Sequence, residues 1–362
     1  MVIPIPVSNP LETVRSYLQE SVAPQAARLD FDRAALHQAL AGLGDRGLLA
    51  LRLDVPEEVF GSFQEAIARD SGALAFLQTQ HQSAAAMVAR SENEPLKQDY
   101  LPHLATGDRL LGVGFSQLRR AGAPPVRARE ANEGYHIDGQ VPWVTGWEYF
   151  QEFIIGAMLP DGQSVFGIVP FTSTTRGREG SISFGEPMQL NAMGATNTVT
   201  AQLDGWFLPP ERVVSVKPVG WMEKQVVQNS LRHSFFPLGC ARAGLDILWE
   251  AAQRKQQGFI FEAFSALDGE LNACRDRIFH WVRGDARTDD PIELRSKAID
   301  LAVRCAHAAV AVSSGAANYS HHRAGRVYRE ALAYTVFGQT TAVMEATLAQ
   351  LVRDRKCRSS ID

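Results

Sequence analysis

The feature that most constrains this chain is a change of apolar periodicity that happens twice. From Leu111 onward, short apolar runs such as Phe153-Ile154-Ile155, Val165–Val169 and Ile182–Phe184 alternate with the turn signals Asp138-Gly139, Asp161-Gly162 and Asp204-Gly205. Strands this short and this evenly spaced bury their faces by forming a small barrel or sandwich. Pro209-Pro210 marks a stiff exit from that region. On both sides the period is helical. Asn9 suits an N-cap, Pro10 the first helical position and Glu12 the capping box, after which Leu11, Val14 and Leu18 line one face. Further helices are expected over 34–45, closing near Gly47-Leu48-Leu49, and over 57–69 and 73–89. After about Gln225 three long stripes follow: Leu231 to Ala252, Leu301 to Val312, and Val336, Thr340, Met344, Leu348 and Leu351. With the stretch 271–282 they predict a four-helix bundle. The expected class is α+β in three domains: a helical domain over 1–110, a β-barrel over 111–215 and a helical bundle over 216–362.

Composition excludes several function classes. A formal net charge of −4 over 362 residues gives no electrostatic footprint for nucleic acid. No run of 18 or more apolar residues exists, so no membrane span is expected. The start, Met1 to Pro6, lacks a basic region and a continuous apolar core, and the cytoplasm is the expected compartment. Cys240, Cys274, Cys305 and Cys357 show no disulfide or zinc spacing, so reduced thiols and no metal are expected.

The segment Gly134 to Thr145 carries the clearest chemical signal. Asp138-Gly139 reads as a tight hairpin turn, and the second strand delivers Trp143, Val144 and Thr145. Alternation puts Trp143 and Thr145 on one face, where an indole and a hydroxyl can cover a flat heteroaromatic ring and bond its edge. Ordinary strand packing accounts for the same residues equally simply. The segment resembles the "dGy-x-i-nG-x-K-x-W-i-T" strand pair of acyl-CoA dehydrogenases. Lys97 to Gly107 is similar to that family's "Q-K-x-x-y-L-p-x-l-x-x-G", and Met193-Gly194 through Leu208 to Val213 to its "lG…fd-x-v-x-vP-x-e-n-vl". Tyr328-Arg329-Glu330 resembles its late "R-D-a" helix. These matches run through most of the chain in the correct order.

The resemblance implies FAD between the barrel and the helical bundle, with Trp143, Val144 and Thr145 against the ring. Phe115 and Ser116 fall where the family's "v-T-E" strand meets the flavin, and Thr340 matches the Thr of "E-G-T". It implies a homodimer or homotetramer through the bundle, an acyl substrate linked to CoA or a carrier, and an electron-transfer partner. The chain also departs from the pattern. The Gly-rich "P-x-a-G-S-D" loop is replaced by Gln117 to Gly122, whose Arg119 and Arg120 either hold an anionic group or are solvated loop residues. "Q-x-l-G-G-x-G" is reduced to Ala311 through Ala317, and "R-x-x-F-G" to Arg254-Lys255 with Gly258, which weakens the ADP-binding half.

The family's reaction needs a carboxylate to take the α proton while the thioester carbonyl is polarised. Counting from Arg329, Gly338 occupies the usual Glu position. The alternative position on the first bundle helix falls at or next to Asn229, beside Ser230, and Glu223 lies too far upstream without a register shift. His81 and His322 are the candidate replacements, each with packing or surface roles as the competing reading. His233 and His307 read as structural. Two alternatives remain: a monooxygenase on the same fold, using reduced FMN or FAD from a partner reductase, and a catalytically silent relative.

Overall fold

The computed structural model describes residues 9–119, 122–222, 224–225, 230–285 and 289–356, with side chains through 352. The N-terminal helices are α1 Pro10–Tyr17, α2 Ala26–Leu29, α3 Arg33–Gly44, α4 Glu57–Asp70, α5 Gly72–Ala89 and α6 Glu94–Leu104. Asn9 caps α1 by accepting from the Glu12 amide at 3.3 Å and giving its own amide to the Glu12 carboxylate at 2.6 Å. α5 is buried nearly all round, including Ala73, Leu74, Leu77, Ala84, Ala85 and Val88 and the polar Gln78, His81 and Gln82. It packs against α4, α6 and the first strand, so it joins the helical layers to the sheet.

The strands are β1 Leu111–Gly114, β2 Val126–Ala131, β3 Gly134–Thr145, β4 Glu152–Met158, β5 Ser164–Pro170, β6 Thr174–Thr175, β7 Ser181–Phe184, β8 Thr198–Leu208 and β9 Val213–Lys217. The expected barrel is realised as one nine-stranded sheet in the order β6-β7-β8-β3-β2-β4-β5-β9, with β1 pairing parallel to β4. No pairing joins β6 to β9 among the described residues. β9 pairs with β5, so the sheet continues past Pro209-Pro210.

Two of the three Asp-Gly signals are not turns. The β2–β3 hairpin closes at Asn132-Glu133, with φ of 45° and 65°, and Ala131 pairs with Gly134. Two consecutive left-handed residues give the primed turn whose twist matches the strands. Asp138-Gly139 lies inside β3 and faces Asp204-Gly205 inside β8, where the register slips. The Asp138 carboxylate accepts from the Gly205 amide at 2.6 Å, an amide the irregular ladder leaves free. Only Asp161-Gly162 joins two strands, with Gly162 at φ 86°.

Among the described residues after position 230 there are five helices where four were expected: α7 Phe235–Lys255, α8 Gly258–Arg283, α9 Pro291–Ser313, α10 Arg323–Val336 and α11 Thr341–Lys356. α7 and α9 approach so closely that a Cβ on Gly244 would lie 2.6 Å from the Cys305 carbonyl carbon. The third sequence stripe is broken at Gly338, which takes φ 59°, so Val336 ends one helix and Thr340 begins the next. A period that continues across a break cannot report it when the break falls at one left-handed residue. The motif Arg329-Glu330 ties the domains together. Glu330 accepts from the Gly72 amide at 2.9 Å and from Arg326 at 2.8 Å, both buried, and Arg329 pairs with Asp30 at 2.6 Å.

Candidate active site

The strand side is built by β3 and the turn that follows β1. Between Val141 and Val144 the register with β8 slips, so Pro142-Trp143 forms a bulge. Val144 is fully buried, whereas Trp143 remains 39% exposed. Thr145 is buried, and its hydroxyl lies 2.9 Å from that of Thr198 on β8. The indole therefore has an open face while the neighbouring hydroxyl is held from behind. Phe115 is half-buried and packs edge-on to Phe166 with ring centres 5.4 Å apart. Ser116 to Arg119 form a single 3-10 turn against β3 and β4. Buried Gln117 pins that turn by donating to the Gly156 carbonyl at 3.0 Å.

The bundle side is built by the break between α10 and α11, by α9 and by the turn Leu231–Ser234 that enters α7. A Cβ placed on Gly338 would lie 3.2 Å from both Cε1 and Nδ1 of His233 and 3.5 Å from Nη2 of Arg295. The His233 imidazole thus occupies the space into which a side chain at position 338 would grow. Its ring packs edge-on to Phe337 at 5.1 Å, and it makes no hydrogen bond among the described residues. Arg295 is 3% exposed and donates to the Phe337 carbonyl at 2.5 Å. No carboxylate pairs with it among the described residues. The same turn holds a buried Ser234 hydroxyl without a partner.

Positive charge dominates the bundle side. The His233 pKa is held well below the ordinary imidazole value, first by burial and then by Arg295, Arg119, Arg52 and Arg232. Burial, reinforced by Arg119, pushes Arg295 down to about 10. The Arg119 charge acts on both His233 and Arg295 in the same direction, although the residue surface is exposed. Arg52 is pushed down to about 10 by burial and by Arg232, and its buried Nε has no partner. Glu57 pairs with Arg232 at 2.7 Å and offsets part of this charge. At neutral pH the site presents an unprotonated imidazole among guanidinium groups.

The other candidates are placed elsewhere or do other work. His81 is fully buried, with Nε2 donating to the Leu104 carbonyl at 2.9 Å and Nδ1 accepting from the Leu111 amide at 2.9 Å. Burial lowers its pKa to about 4. Both ring nitrogens are committed to backbone, so the candidate base is corrected to a neutral strut between α5, α6 and β1. His322 caps α10, its Nδ1 accepting from the Ala324 amide at 3.2 Å, and does not join the Gly338 cluster. Thr340 sits two residues from Gly338, and its hydroxyl accepts from the Val343 amide at 3.3 Å, capping α11. Ala311 to Ala317 cover the end of α9 and a 3-10 turn in which Ser314 takes φ 55°. Arg120, Glu223 and Asn229 lie outside the described residues. His233 is the residue that sequence reasoning missed. Its only linear signal was its nearness to the Asn229 position, and its place against Gly338 joins residues over a hundred positions apart.

Residues 9–108 match the family model described as acyl-CoA dehydrogenase, N-terminal domain. The probable acyl-CoA dehydrogenase YngJ of Bacillus subtilis is 22% identical, the match covering 94% of this chain and 96% of that one. The butyryl-CoA dehydrogenase of Megasphaera elsdenii has the same fold, with a TM-score of 0.76 and 16% identity over 98% of this chain and 100% of that one. A glutaryl-CoA dehydrogenase from Mycobacterium smegmatis, solved in complex with FADH2, superposes with a TM-score of 0.77 at 16% identity, covering 96% of this chain and 95% of that one. Helical domain, central sheet and helical bundle thus have the fold of the acyl-CoA dehydrogenases. The chain is similar to acyl-CoA dehydrogenases in its N-terminal domain by family model and over most of its length in sequence and fold.

Proposed function

We propose that this protein is a flavin-dependent oxidoreductase that removes hydrogen across the α,β bond of an acyl thioester, with His233 in place of the missing carboxylate base. One observation carries the reading: the imidazole fills the volume beside Gly338 and makes no hydrogen bond among the described residues. His81, by contrast, has no lone pair to offer.

The strand side fits a flat ring. Trp143 is a large exposed aromatic with no ring partner among the described residues, and Thr145 is fixed behind it by Thr198. Trp143, Phe115 and Ser116 would face the isoalloxazine, with buried Val144 and Thr145 shaping the strand behind them and Thr340 closing from the bundle, and FAD is the form we assign. A bound flavin supplies the two-electron acceptor for the substrate's β hydride. His233 takes the α proton at a ring nitrogen, and its depressed pKa keeps it unprotonated and ready at neutral pH. Protonation of the ring is opposed by the surrounding guanidinium groups, so the step needs a negative charge close by.

An exposed apolar stripe of Tyr328, Leu332 and Val336 on α10 and Met344, Leu348 and Leu351 on α11 supports assembly into a homodimer or homotetramer. Deuterium exchange at the substrate α carbon tests the base without depending on the electron acceptor. His233→Asn should slow exchange by roughly a hundredfold to ten-thousandfold. Exchange at the parent rate in that variant would remove His233 from the mechanism.

A further inference from the structure

We propose that the site selects an acyl group bearing its own carboxylate, held by Arg295 beside His233. The inference rests on the acyl-thioester reading above and names the substrate class of the same site.

A guanidinium that is 3% exposed and bonds just one carbonyl among the described residues is an incomplete arrangement. Buried cations normally keep a counter-ion, because removing one from water without compensation is costly. This molecule follows that rule elsewhere. Buried Arg326 pairs with buried Glu330, and even the partly exposed Arg275 takes Glu65. Arg295 takes no acid among the described residues, and the charge that acts on it is another cation, Arg119. Arg52 adds a buried Nε with no acceptor, and Ser234 a buried hydroxyl with none. The family's carboxylate would have stood at Gly338, 3.5 Å from Arg295 as measured from its Cβ position. The enzyme has therefore lost an anion where cations remain, and a substrate carboxylate restores the balance. A planar fork matches a carboxylate in geometry as well as in charge. The same negative charge lowers the opposition to protonating His233, so binding of the correct substrate prepares its base.

The anion could also be a cofactor phosphate, and the test separates the two sources. Binding of succinyl and butyryl pantetheine thioesters to the full-length protein is measured by isothermal titration, with and without saturating FAD. The two differ by a carboxylate in place of a methyl group. The succinyl thioester should bind roughly tenfold to a hundredfold more tightly, with or without FAD. Arg295→Gln should bring the two affinities together, and Arg295→Lys should keep part of the difference. Arg119→Gln, at an exposed position, should reduce the preference even if the Arg295 variants fold poorly. Equal binding of the two thioesters, or binding of neither, overturns the proposal. So does a preference unchanged in both the Arg295→Gln and Arg119→Gln proteins, or one abolished by FAD, which would assign the cations to a phosphate. His233→Asn should retain the succinyl preference. Retained preference together with undiminished α-proton exchange would sink the base assignment while leaving the carboxylate site standing.

Discussion

His81 stands at the seam of the N-terminal helices and the sheet, and His233 in the turn that enters the bundle. Burial lowers the pKa of both, yet the two regions use the ring in opposite ways. Around His81 the protein supplies one backbone acceptor and one backbone donor, which fixes the tautomer and uses both nitrogens. Around His233 it supplies cations and an edge-on phenyl ring, and it leaves the nitrogens unused. A lowered histidine pKa is therefore poor evidence of catalysis until hydrogen-bond partners are counted. Desolvation alone makes a strut; desolvation with an unsatisfied polar edge makes a site.

The largest expected effect on turnover comes from His233→Asn, given above. The matching variant on the other side, His81→Gln, should leave the rate per folded molecule within about twofold, because it touches no reacting atom. A catalytic collapse in that protein, with its structure intact, would reverse the assignment of the two rings. Its stability should fall by about 2–3 kcal/mol in urea unfolding, since a buried carbonyl and amide lose their partners.

Acid titration sharpens the contrast next. An unfolded His81 titrates near 6.5 and the native ring near 4. Between those values the unfolded chain binds more protons, so stability falls as pH drops through that window, by up to about 3 kcal/mol. Unfolding curves of His81→Gln should lack this component. The His233 titration, followed by imidazole NMR, should have its midpoint below the ordinary value. Arg295, Arg119, Arg52 and Arg232 all act to lower it, and Glu57 is paired to Arg232. Removing one cation in Arg295→Gln should move the midpoint upward. A midpoint that stays fixed in that variant would mean Arg295 does not face the ring.

The smallest effect concerns the hinge of the site. Gly338→Ala requires a non-glycine residue at φ 59° and presses a Cβ to 3.2 Å from His233. A loss of about 1–2 kcal/mol is expected in thermal or urea unfolding. Restoring the family glutamate there should therefore not restore the family's site unless His233 is shortened as well.

Much of the fold was legible along the chain. The capping box at Asn9, the helical-to-strand switch at Leu111 and the apolar faces of the long helices are local patterns, and local hydrogen bonding and burial enforce them. The turns were read less well. Asp-Gly favours a tight turn wherever it occurs, but at positions 138 and 204 the two dipeptides meet across paired strands and become a bulge instead. The break at Gly338 was invisible for a related reason: the apolar period resumes in phase on the far side. The proposed strand half of the site could be nominated in sequence because neighbouring residues of one strand would build it. The bundle half could not.

The order of helices and strands, the indole-hydroxyl strand and the absence of a glutamate at position 338 were set by the sequence alone, since each depends on residues close together in the chain. What fills the gap was decided by tertiary structure. Packing of the turn at Leu231–Ser234 against α9 and the α10–α11 break brings an imidazole, a buried guanidinium and a glycine within 3.5 Å of one built atom position. Burial then strips water from those groups, and only there do their charges acquire the strength to tune one another.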